Sequence, residues 1–69
     1  MIIKVVGRGP GGPAYNIFAY DAGQEILTTY ADRLVVDNEV IELEPEEMII
    51  VEARKALILS HKYVSICSK

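Results

Sequence analysis

Apolar residues in this chain come in short runs separated by polar or Gly/Pro punctuation, and no run keeps a clean i, i+3, i+4 stripe. The runs near Ile2–Val6, Tyr15–Tyr20, Glu25–Tyr30, Leu34–Val36 and Glu39–Leu43 have strand length and are rich in β-branched and aromatic residues. Asp21-Ala22-Gly23-Gln24 reads as a hairpin loop in which Gly23 supplies a positive φ. Asp37-Asn38 reads as a two-residue type I′ turn, because both side chains tolerate the left-handed region. A strand over 15–20 puts Tyr15 and Phe18 on opposite faces, which makes the sheet apolar on both sides. One face can pack into a core, and the other needs a neighbour.

The last third supports two readings. Pro45-Glu46-Glu47 has the chemistry of a helix start, with proline in the first turn and carboxylates at the positive end of the dipole. Met48-Ile49-Ile50-Val51 is β-branched, and Ala56–Ser60 and Tyr63–Cys67 read as strands around a tight His61-Lys62 turn. The pattern therefore predicts an all-β single domain over residues 1–69, a five- to seven-stranded barrel or sandwich on the scale of SH3-like and Sm-like folds. The alternative is an α+β fold with one helix at about 46–59.

Size sharpens this picture. Sixty-nine residues sit where a single core supplies only about 3–5 kcal/mol of net stability, and such domains compensate with disulfides, a metal or oligomerisation. Cys67 is the only cysteine and His61 the only histidine, so an internal disulfide and a closed Cys/His zinc site within one chain are excluded. Apolar residues make up 51% of the chain, a large share for so small an interior. The expectation is that a second copy or another partner covers part of that surface. No segment approaches the roughly 20 apolar residues of a membrane helix, and Gly/Pro cuts the first apolar run at Val6. A soluble cytoplasmic protein with no cofactor and no membrane partner is expected.

The net charge of −3 hides a segregation. Residues 1–20 carry +2, residues 21–52 carry −9 with all ten carboxylates against Arg33, and residues 53–69 carry +4. These segments either neutralise one another in the fold or form acidic and basic faces that meet between subunits.

Gly7, Gly9 and Gly12 match the G-x-G-x-x-G spacing, and Met1–Gly12 resembles the opening of flavin- and NAD-binding proteins. That resemblance implies a strand, a phosphate-cradling loop and a helix. The chain departs from it: Pro13 and Tyr15-Asn16-Ile17-Phe18 stand where the helix should begin, and too few residues follow for the remaining βαβ units. A smaller claim is that Arg8 with the amides of Gly9, Gly11 and Gly12 forms an anion nest for a phosphate-containing ligand or nucleotide.

Glu42, Glu44, Glu46 and Glu47 form an acidic stretch without EF-hand spacing and read as a solvated edge. Ser60 and His61 are neighbours whose side chains point apart in an extended chain, so no Ser–His pair forms. Residues 57–66 resemble the two final strands of Sm-like proteins, with Ser60-His61 in place of that family's Arg-Gly turn. A nucleic-acid reading would use Arg54, Lys55, Lys62 and Tyr63, on the segment free of acid. The leading expectation is a non-enzymatic, homo-oligomeric binding module that meets further copies of itself and a protein partner. The alternatives are an anion- or nucleotide-binding protein built on the 7–13 loop and an Sm-like nucleic-acid binder built on the basic tail.

Overall fold

The structure is a computed structural model that describes residues 1–7, 14–59 and 62–69. Among the described residues eight strands follow the hydrophobic runs: β1 (Ile2–Val6), β2 (Tyr15–Asp21), β3 (Gln24–Ala31), β4 (Arg33–Val36), β5 (Glu39–Ile41), β6 (Met48–Glu52), β7 (Lys55–Leu59) and β8 (Tyr63–Cys67). They form two four-stranded sheets, ordered β3-β2-β1-β6 and β5-β4-β8-β7. All pairings are antiparallel except β4 with β8. The fold is all-β.

The strand count exceeds the expected five to seven because the segment with two readings forms a strand of its own, β6, which Ala53-Arg54 separates from β7. Asp37-Asn38 separates β4 from β5 as its turn chemistry predicts. No helix occupies 46–59. Glu46 has φ 70°, outside the right-handed helical region, and the Glu47 amide donates to the Glu44 carbonyl at 3.0 Å. This closes a β-turn with Pro45 second and a positive φ third, the type II pattern. The β-branched run after it pairs along β1, with Val5 opposite Ile49 and Ile3 opposite Val51. The sheets do not close into a barrel: β3 and β6 remain the edges of the first sheet, and β5 and β7 those of the second.

Both two-residue turns form as their residues require. Asp37 and Asn38 have φ 49° and 68°, and Ala22 and Gly23 have φ 52° and 78°. Positive φ at both central positions gives the turn twist that matches antiparallel strands.

A single buried cluster draws on both sheets. Ile3, Val5, Tyr15, Ile17 and Ala19 enter it from the first sheet, and Leu34, Val64 and Ile66 from the second. Along β2, Tyr15, Ile17 and Ala19 are buried while Asn16 is exposed, the period-2 alternation of a half-buried strand. Inside the cluster the Leu43 amide donates to the Tyr15 hydroxyl at 3.3 Å. That bond gives a buried backbone donor its partner.

Candidate interaction surface

The register of the first sheet fixes what its outward face presents. Ile2 pairs with Tyr20, Lys4 with Phe18 and Val6 with Asn16 on one side. On the other side the same three residues pair with Glu52, Ile50 and Met48. Strand β3 adds Thr28 opposite Phe18 and Tyr30 opposite Asn16. Cross-strand partners share a face, so Ile2, Phe18, Tyr20, Tyr30, Met48 and Ile50 lie together on the side away from the core. Phe18 does face away from Tyr15, as the alternation requires. Met48 and Ile50 are 51% and 61% exposed. The Lys4 ammonium lies 4.8 Å from the centre of the Phe18 ring, a cation–π contact in the middle of the face.

At the rim of this face lies β3, whose first five residues, Gln24–Thr28, are all exposed. A register shift between Ala19 and Tyr20 places an extra β3 residue against β2, the signature of a β-bulge. Ile26 and Leu27 are 57% and 42% exposed. Leu27 pairs with the buried Ala19 and so stands on the inward side, yet it remains open to solvent. The sequence pattern marks this segment as a strand. The signal for its exposure was present: two adjacent apolar residues in a strand must place one on each face.

The residues expected to bind ligands have these positions. Arg8, Gly9, Gly11 and Gly12 lie outside the described residues, as do Ser60 and His61. Gly7, the first glycine of the motif, follows β1 directly as a buried residue, and its amide donates to the Glu47 carbonyl at 2.7 Å. The segment after the loop is β2, antiparallel to β1, so the strand–loop–helix unit of a dinucleotide fold is absent from the described residues.

The basic tail splits between the two ends of the β7–β8 hairpin. Lys55 pairs with Cys67 at one end and Leu59 with Tyr63 at the other. Four residue steps along a strand span about 13 Å. Arg54 and Lys55 line a depression with Lys69, whereas Lys62 and Tyr63 line another with Asp32 and Arg33. The second hollow is thus of mixed charge. Glu42, Glu44, Glu46 and Glu47 are exposed, and the Glu44 amide donates to Glu47 Oε1 at 2.8 Å. Among the described residues no three His, Cys, Asp or Glu side chains converge as metal ligands. Cys67 is a half-buried free thiol.

At the end of β8, Ser68 closes onto the β4–β5 turn. Its amide donates to Asp37 Oδ1 at 2.8 Å and its hydroxyl donates to Asp37 Oδ2. The Ser68 hydroxyl, then the Ser68 amide, hold the Asp37 carboxyl below its ordinary value, with a smaller contribution from the Lys69 charge.

No family model, curated protein or solved structure matches this chain. Among the described residues no helix is long and apolar enough to cross a membrane.

Proposed function

We propose that this protein is a non-enzymatic binding module of the cytoplasm that works as a homo-oligomer, with its two sheets arranged as a small open sandwich. The observation that carries the reading is the apolar character of the first sheet on both sides. Ile3, Val5, Ile17 and Ala19 fill the core side, while Ile2, Phe18, Tyr20, Tyr30, Met48 and Ile50 occupy the other. A sheet exposed on one side ordinarily alternates apolar inward with polar outward, and contiguous exposed apolar patches mark surfaces that meet other molecules. Self-association also supplies the stability that so short a chain otherwise takes from disulfides or a metal.

Native mass spectrometry on gently purified protein tests this by counting chains per particle. Particles of two or more chains without added mass are expected. A single bare chain at every concentration would sink the reading, and a discrete added mass on each chain would favour a ligand-binding protein instead.

A further inference from the structure

We propose that the free edge of β3 is where a second copy attaches, in antiparallel register with Thr28 opposite Thr28 of the second copy. This rests on the homo-oligomeric reading above and adds an edge contact to it, one that joins the outward apolar faces of two copies into a single larger face and leaves that face open to a further partner.

The argument begins with what an edge strand exposes. One side of β3 bonds to β2, and along the other no strand of the described residues pairs with it, so β3 is an edge of the sheet. Folded proteins guard such edges with short strands, lysines or prolines. Strand β3 has none of these: it is eight residues long, QEILTTYA, with Glu25 as its only charge, and its one bulge lies at its start, opposite Ala19 and Tyr20, so that Leu27–Ala31 keep a regular register. It is also exposed on both faces through Ile26 and Leu27, so strand addition covers apolar side chains as well as satisfying backbone groups.

The other edges are poorer templates. Strand β5 has three residues, and β7 opens with Lys55. Strand β6 has five, with Glu46 and Glu47 before it and Glu52 at its end, and its inward residues Ile49 and Val51 are already half-buried against the core.

The sequence of β3 is self-complementary about Thr28. A two-fold axis perpendicular to the sheet keeps each face continuous across the junction, which requires opposed residues to come from the same face. Centred on Thr28, that condition is met throughout the central part. Ile26 meets Tyr30 of the second copy, and Leu27 meets Thr29 of the second copy. Aromatic–β-branched and Thr–Thr pairs are among the favourable cross-strand pairs. Glu25 falls opposite Ala31 of the second copy rather than opposite its own twin, so no like charges are juxtaposed, and Arg33 of the second copy lies two positions farther along. The result is one eight-stranded sheet whose outward apolar face runs through both copies.

Two measurements on the full-length chain test the edge. In a Cys67→Ser background, Thr28→Cys is oxidised mildly and scored for covalent dimer on a non-reducing gel, with Ile50→Cys on β6 as the comparison. Rapid dimer formation at Thr28 and little at Ile50 is expected; the reverse order would overturn the assignment. Separately, Thr28→Lys places the guarding residue on the edge, and its monomer–dimer equilibrium is read by sedimentation. The dissociation constant should rise by at least roughly tenfold while the circular dichroism spectrum stays that of the wild type. A Thr28→Lys protein that dimerises like wild type would overturn the β3 contact and leave the homo-oligomeric reading standing. A wild type that is monomeric throughout would remove both.

Discussion

Gly7 and Glu44 approach so closely that a Cβ on Gly7 would overlap the Glu44 carbonyl oxygen. The Glu47 carbonyl, which accepts the Gly7 amide proton, is also within contact of that position. The first glycine of an apparent phosphate-loop motif therefore has a packing role. It lets the end of β1 lie against the turn that introduces β6, and the two strands then pair along their length. Gly7→Ala must push this turn away, at a cost of roughly 1–3 kcal/mol as for other overpacked sites. Urea denaturation at fixed protein concentration reads the loss, and an unchanged midpoint would show that the turn yields freely.

Tyr15 links the core to the backbone before that same turn, since its hydroxyl accepts the buried Leu43 amide. Tyr15→Phe keeps the ring and removes the acceptor. Leaving a buried donor unsatisfied costs about 1–3 kcal/mol. Faster hydrogen exchange at the Leu43 amide should accompany the lower stability, and unaltered exchange would contradict the assignment.

Ala22 carries φ 52° at the tip of the β2–β3 hairpin, a conformation that its Cβ disfavours. Asparagine suits the first central position of a type I′ turn before glycine. Ala22→Asn should therefore raise stability by up to ~1 kcal/mol, about 4–8 °C in melting temperature for a chain of this size. A lower melting temperature would show that the alanine side chain makes a contact worth more than the strain.

Asp37 gives a pH signature. Its carboxyl is held below the ordinary 3.8 by the Ser68 hydroxyl and amide. A carboxylate with a lowered folded-state value contributes stability that is complete above its unfolded value and is lost as pH falls through the folded one. Asp37→Asn should be less stable than wild type at neutral pH, and the difference should shrink as the solution is acidified below the ordinary carboxylate range. Urea midpoints across an acid titration measure it. A gap that stays constant with pH would show that the Ser68 contacts do not depend on ionisation.

Local chemistry made much of this fold legible. Positive-φ-tolerant pairs marked both two-residue turns, and Tyr15 through Tyr20 showed the alternation that places Phe18 outside. Pro45-Glu46-Glu47 misdirected, because proline opens helices and β-turns alike; the choice was made by the positive φ at Glu46 and by the pairing of Ile49 and Val51 with β1. The parallel contact of β4 with β8 joins segments some thirty residues apart, and nothing local in either strand encodes such a partner. The packing role of Gly7 was hidden for the same reason: the residue it accommodates, Glu44, is 37 positions away. The basic tail looked continuous in sequence, yet a hairpin turns its two halves to opposite ends. The surface richest in consequence, the β3 edge, was readable only in part, since Ile26-Leu27 announces two apolar faces but not which strand lacks a neighbour.

Sedimentation equilibrium of the wild-type protein over a dilution series tests the central claim, that this chain works as an assembly, most directly. The account predicts a mass of twice the 7.7 kDa chain at high concentration, falling toward one chain on dilution as the β3 edges separate. A mass of one chain at every concentration would contradict it.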